Sequence, residues 1–188
     1  MNHPTLILVH GLPGAGKTTL AKKLAAELNL PLISKDDIKV MLFDTYGWKD
    51  RTESRKAGAA SYEITDYIIE EQLRVGNSLI FETTFNPALA TKKFNTWRQT
   101  YGVQFVQVYC YADLDVIRKR VTERAANDSR HVSHIEGEEG RQDLEARLAR
   151  GKELLDIPSK IIEIDTTDFA KLDDTGVVAW ISDTLADH

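Results

Sequence analysis

The segment Gly11-Leu12-Pro13-Gly14-Ala15-Gly16-Lys17-Thr18 carries the most specific chemistry in the chain. It fits the pattern G-x-x-x-x-G-K-[ST] at every fixed position. Glycine permits backbone angles that a side chain forbids, and it lets the main chain approach an anion closely. Successive N–H groups then converge as an anion nest at the positive end of the following helix. A lysine closing such a loop reaches the β- and γ-phosphates of a nucleoside triphosphate, and the next hydroxyl ligates magnesium. Lys17 and Thr18 stand at those two positions. The expected ligands are ATP and Mg2+.

Three further groups have types and positions suited to moving a phosphoryl group. Ser34-Lys35-Asp36-Asp37-Ile38-Lys39 follows a short apolar run, and a carboxylate at a strand end can accept the proton of an attacking hydroxyl. Asp36 is the favoured base. Asp36 or Asp37 is also expected to cap the next helix. Phe81-Glu82-Thr83-Thr84-Phe85-Asn86-Pro87 ends another apolar run in an acid and two hydroxyls, so Glu82 is expected to hold a magnesium-bound water or orient the acceptor. Arg118, Arg120, Arg124 and Arg130 form the third group. Planar guanidinium groups suit the charge that spreads over equatorial phosphate oxygens, and Arg120 and Arg124 share one helix face.

These groups need a scaffold that brings strand ends together. Apolar runs alternate with helical patterns along the chain, which reads as a parallel sheet with crossover helices. Strands are expected at Thr5–Val9, Pro31–Ser34, Ser78–Phe81, Val103–Tyr109 and Ile161–Ile164. Helices are expected over Lys17–Leu28, from Asp36 or Asp37 through Leu42, and over Glu53–Val75 with Ala57, Ala60, Ile64 and Ile68 as its inner face. Gly76-Asn77 stops that helix, and Asn86-Pro87 starts the next, whose inner face is Ala90, Phe94, Trp97 and Tyr101. Asp113 caps a helix carrying Leu114, Ile117 and Val121. The periodicity fails over about 125–141, a polar stretch read as a lid that closes over the nucleotide and excludes water. Leu144, Leu148 and Leu155 mark the following helix, and Val177, Ile181 and Leu185 the last.

Bulk properties narrow the function. The 188 residues suit a single domain over 1–188, with 42% hydrophobic and 28% charged residues. Leu6–Val9 is too short to span a membrane or to serve as a signal-peptide core. The single cysteine, Cys110, excludes an internal disulfide and lies in an apolar run, as an inert thiol in a reducing cytoplasm would. The net charge of −5 and the absence of a basic stripe argue against extended nucleic acid as a partner. A small hydroxyl compound is the expected acceptor.

With these motifs in place, the chain resembles the predicted P-loop kinases grouped with the AAA domain proteins. These are related to bacteriophage polynucleotide kinase, zeta toxins, chloramphenicol phosphotransferase and gluconate kinase. The resemblance spans nearly the whole chain, and Gly11 through Thr19 is similar to that family's phosphate loop. It implies a three-layer α/β fold with a five-stranded parallel sheet in the order 2-3-1-4-5. It places the general base on Asp36 and a contact with a substrate phosphate on Lys39. Glu82-Thr83-Thr84 resembles the family's Asp-Thr-Asn segment, with the acid lengthened. Arg120 and Arg124 resemble the lid arginine pair, and Asp165-Thr166-Thr167 the segment near the adenine, so Asp165 and Thr167 join the nucleotide site.

The sequence leaves other readings open. A kinase for a nucleic-acid 5′-hydroxyl end shares the same chemistry, with Arg51, Arg55, Lys56, Lys92 and Lys93 as local positive charge. A nucleotide-dependent switch is a different class, but it has no use for an aspartate pair at a strand end. His131 and His134 match no standard metal template. Tyr46 and Trp48 either line the acceptor pocket or cover the core, whereas Trp97 and Trp180 sit at core spacing.

Overall fold

The computed structural model describes residues 3–47, 50–126 and 138–186. Its strands are β1 (Thr5–Gly11), β2 (Leu32–Ser34), β3 (Leu79–Glu82), β4 (Gln104–Tyr111) and β5 (Lys160–Asp165). Its helices are α1 (Lys17–Leu28), α2 (Lys35–Tyr46), α3 (Arg51–Arg74), α4 (Pro87–Tyr101), α5 (Leu114–Ala126), α6 (Glu138–Arg150) and α7 (Asp174–Ala186). The strands form one parallel sheet in the order β2-β3-β1-β4-β5, as the resemblance implies. The 127–137 part of the expected lid, with Arg130, His131 and His134, lies outside the described residues, as does Trp48.

The run Leu6-Ile7-Leu8-Val9 is continuously apolar because β1 is buried on both faces. Ile7 and Val9 enter a core with Leu20, Leu24, Ile117, Leu148 and Ile181, from α1, α5, α6 and α7. Leu6 and Leu8 enter the opposite core with Ile69, Leu73, Phe94 and Trp97, from α3 and α4. Alternation along one strand thus supplies both layers. No helix among the described residues is long and apolar enough to cross a membrane.

Several local expectations are corrected. The cap of α2 is Ser34, whose Oγ accepts from the Asp37 N–H at 3.4 Å, so neither aspartate caps the helix, which runs on to Tyr46. The inner face of α3 is Ser61, Thr65, Ile69 and Leu73, while Ile64 is 38% exposed. Ser61 Oγ donates to the Gly58 carbonyl and Thr65 Oγ1 to the Ser61 carbonyl, so these hydroxyls are satisfied within their own helix and bury like small apolar groups. Leu114 is exposed, and Leu155 lies beyond the end of α6, buried in the α3–α4 layer rather than on a helix. Tyr46 is largely exposed and so does not cover the core, and Trp180 packs only at the core's edge.

Candidate active site

The register sets the site. Ser34 pairs with Glu82, Val9 with Glu82, Gly11 with Cys110, and Tyr111 with Asp165. The C-terminal strand ends therefore meet along one edge of the sheet, where ligands of open parallel sheets bind.

The phosphate loop leaves β1 at that edge. Gly11, Gly14 and Gly16 have φ of 140°, 80° and 71°, which favour glycine. Space imposes the same choice at two of them. A Cβ on Gly11 would lie 2.1 Å from the Cys110 carbonyl oxygen, and one on Gly16 would lie 2.3 Å from the Phe169 ring. Leu12 and Pro13 are half-buried at the loop's crest, and Ala15, fully buried, closes a turn on the Leu12 carbonyl at 3.1 Å. Lys17 opens α1 only 8% exposed, with its ammonium donating to the Leu12 carbonyl at 3.0 Å. Thr18 and Thr19 follow on the exposed side of the first turn. This cradle fits a polyphosphate, because side chains are excluded from its floor and a cation sits at its end.

The charges of Lys17, Asp36 and Asp37 all act on Glu82. Glu82 is 2% exposed and accepts a hydrogen bond from Ser34 Oγ at 3.0 Å. Burial holds its carboxyl above the usual range; the Lys17 charge opposes this, whereas the Asp36 charge adds to it. Asp36 is half-buried with Lys35 Nζ at 3.2 Å, while Asp37 is exposed. Lys35 Nζ also sits 5.2 Å from the centre of the Tyr62 ring, whose hydroxyl donates to the Thr84 carbonyl at 3.1 Å. Thr84 Oγ1 donates to the Gly11 carbonyl at 3.4 Å, and the Thr83 N–H to that of Val9 at 3.3 Å, so the β3 end is strapped to the loop. Lys39 lies over the Phe43 ring, 5.6 Å from its centre. Ser34 and Tyr62 were missed as site residues. The hydroxyl that caps α2 also holds Glu82, and a Tyr on a long helix gives no local sign of what it touches.

On the other side of the loop, Arg120 Nη2 donates to the Thr166 and Thr167 carbonyls at 2.7 and 3.1 Å. Its guanidinium lies 5.4 Å from the centre of the Phe169 ring. Thr166, unexposed, donates to the Ala15 and Tyr111 carbonyls at 2.9 and 2.8 Å, which makes it a tie between β4 and the phosphate loop. Asp165 and Thr167 stand beside it at the surface, with the Thr167 N–H donating to Asp165 at 2.8 Å. Arg124 is exposed, one turn beyond Arg120. Arg118 is turned away: it grips Glu145 of α6 at 2.9 and 3.0 Å and Asp115 at 3.2 Å, a clamp between helices rather than a lid residue.

His10, directly before the loop, and Arg147 and Arg150, at the end of α6, were also missed. All three line a crevice beside Gly11 and Thr84. The alternation of β1 and the Arg-Leu-Ala-Arg spacing of α6 were the available signals. His10 is 2% exposed; burial first, and then the Lys17 charge, lowers its pKa from 6.5 to about 4. An unfolded histidine takes its proton near 6.5 and the folded one resists until about 4, so this contribution is complete above 6.5 and is lost as pH falls towards 4. The gap is worth ~3 kcal/mol. Urea unfolding at pH 7 and pH 4 should show the wild type losing ~3 kcal/mol more than His10→Gln; equal losses would contradict the burial argument. Cys110 is inert as expected, its thiol pushed up to about 12 by burial.

Comparison with known proteins agrees with this geometry. A family model described as AAA domain matches residues 6–147. A crystal structure from Chloroflexus aurantiacus, provisionally described as a kinase, is 35% identical, with a TM-score of 0.89 and coverage of 96% of this chain and 98% of that one. An uncharacterized protein of Mycobacterium tuberculosis is 28% identical over 145 residues, 72% of this chain; the match spans only 29% of that relative's length. A cytidylate kinase from Pyrobaculum calidifontis is 35% identical over 78 residues, covering 40% of this chain and 42% of that one. The chain belongs to the AAA domain family of P-loop kinases.

Proposed function

We propose that this chain is an ATP-dependent kinase that transfers the γ-phosphoryl group to a hydroxyl of a small-molecule acceptor. The observation that carries this reading is the meeting of the β2 and β3 ends beside the phosphate loop: Ser34 pairs with Glu82 and donates to it at 3.0 Å, Asp36 lies in the first turn of the helix that follows, and the Thr84 hydroxyl is tied to Gly11. A carboxylate at a strand end beside the cradle is placed to accept the proton of an acceptor hydroxyl. In the transfer, the Asp36 carboxylate takes the proton of the acceptor hydroxyl as its oxygen bonds to the γ-phosphorus. The bond from that phosphorus to the β–γ bridging oxygen breaks, and ADP leaves with the electron pair. Lys17 holds the β- and γ-oxygens, and Arg120 and Arg124 place positive charge on the nucleotide side. Asp165 and Thr167 border the base, Lys39 and Asp37 the acceptor, and Thr83 and Thr84 hold the β3 end against the loop.

The donors at the cradle fit magnesium, a hard cation that keeps several waters and takes few protein ligands. The Thr18 hydroxyl and, through water, Glu82 would hold it, and its chemistry there is neutralisation of charge on the phosphate oxygens.

An ATP-consumption screen over sugars, sugar acids, nucleosides, amino alcohols and oligonucleotides tests the reading. The expected result is stimulation of ATP turnover by one small hydroxyl compound, on the order of 100-fold or more over the acceptor-free rate, with product phosphorylated on oxygen. Tight ATP binding with no stimulation by any compound would favour a switch, and labelling of oligonucleotides alone would favour a nucleic-acid end kinase.

A further inference from the structure

The crevice beside the phosphate loop contains a polar group with no account so far. It is bounded by His10, Leu12, Thr84, Tyr109, Arg147 and Arg150, between the loop and the end of α6. His10 Nε2 is fully buried and has no hydrogen-bond partner among the described residues, although the Gln107 side chain lies close enough to the imidazole to oppose the lowering of its pKa. The imidazole is held edge-on between two rings, with centroids 5.7 Å from Phe85 and 5.3 Å from Tyr109. Buried polar atoms are nearly always satisfied, so an orphaned nitrogen in a crevice calls for a partner brought from outside.

Two guanidinium groups stand at the rim. Arg147 contacts Asp143 at 3.0 Å and Arg150 contacts Glu153 at 3.2 Å, both near neighbours in sequence. Such exposed short-range pairs contribute little and exchange readily for a better-placed anion. Among the described residues Glu153 is the only carboxylate lining the crevice, so the cations outnumber it. The crevice, open on one side, offers about 30 Å3, room for one small polar group rather than a sugar or base. Thr84 and Gly11, hydrogen-bonded to each other, both line it, so an occupant lies beside the start of the phosphate loop.

We propose that this crevice seats an anionic group of the acceptor, a carboxylate or a phosphate, with Arg147 and Arg150 binding the anion and His10 hydrogen-bonding beside it. The inference rests on the kinase reading and gives it a substrate class: hydroxyl compounds that already carry a negative charge. Arginine suits this task because its planar fork matches both anions bidentately.

Matched pairs test it: gluconate against glucose, glycerate against glycerol, and glucose 6-phosphate against glucose, each at saturating MgATP. The expected result is that charged members are phosphorylated with kcat/KM about 10- to 100-fold above their neutral partners. The carboxylate and phosphate arms show which anion is used. In Arg147→Gln/Arg150→Gln that preference should collapse through the acceptor's KM while the KM for ATP stays within about twofold. His10→Asn should lower kcat/KM for the charged member more than for the neutral one. If neutral members are preferred, or if the double variant keeps the wild-type preference, the anion seat is wrong and the kinase reading stands. If no member of any pair is phosphorylated and the wider acceptor screen is also silent, both fail.

Discussion

Replacing Lys17 with alanine should abolish nucleotide turnover while leaving the fold in place. The ammonium is held at the end of the glycine cradle, where it donates to the Leu12 carbonyl and balances the buried Glu82. A preorganised cation in such a site needs no rearrangement as charge develops, and losing one such donor typically costs about 10^2- to 10^3-fold in rate. Lys17 is itself buried, so Lys17→Ala also loses packing and the charge beside Glu82, while Leu20, Ala21 and Leu24 keep the rest of the buried face of α1. A coupled ADP-release assay and a thermal melt on the same preparation separate the two effects. A well-folded variant within about twofold of the wild-type rate would contradict the role given to Lys17.

The second large effect is expected at Asp36. Asparagine keeps the size of the side chain and removes its basicity, so Asp36→Asn should lower transfer by about 10^2- to 10^4-fold. ATP affinity should hold within about twofold, because Asp36 is on α2 and not in the loop that cradles the phosphates. Asp37→Asn is the control. Asp37 is exposed and one step further round α2, so its substitution should cost far less. If Asp37→Asn abolishes transfer and Asp36→Asn does not, the base is Asp37. Single-turnover transfer from γ-labelled ATP reads the step directly.

The sheet and the glycine loop were legible because their signals are local. A strand buried on both faces shows as an unbroken apolar run, and the glycine pattern of the loop reflects constraints met within a few residues. The Gly11 and Gly16 contacts add a reason that only the fold supplies, since the Cys110 carbonyl and the Phe169 ring come from distant segments. The inner face of α3 was misjudged for a physical reason: Ser61 and Thr65 look polar in sequence but satisfy their hydroxyls on their own helix. Ser34 was overlooked because two aspartates beside it are equally good caps by type. His10 meets Arg147 and Arg150 only through tertiary packing, so no spacing in the sequence joins the histidine to the arginine pair.

The resemblance is borne out at the level of the family and of the strand order. Charge type and position singled out the arginines after β4, and the resemblance implied a role for Arg120 and Arg124. Arg118 is a helix clamp, and Arg120 lies against the β5 end and Phe169, beside the phosphate loop.

Everything proposed for this chain begins with a triphosphate seated between residues 11 and 18. Calorimetric titration of the wild type and of Lys17→Ala with MgATP measures that step without any acceptor. The account predicts one saturable site in the wild type with a dissociation constant below about 1 mM, weakened at least about tenfold in the variant. No binding of any nucleoside triphosphate by the wild type, or equal affinity in the two proteins, would contradict it.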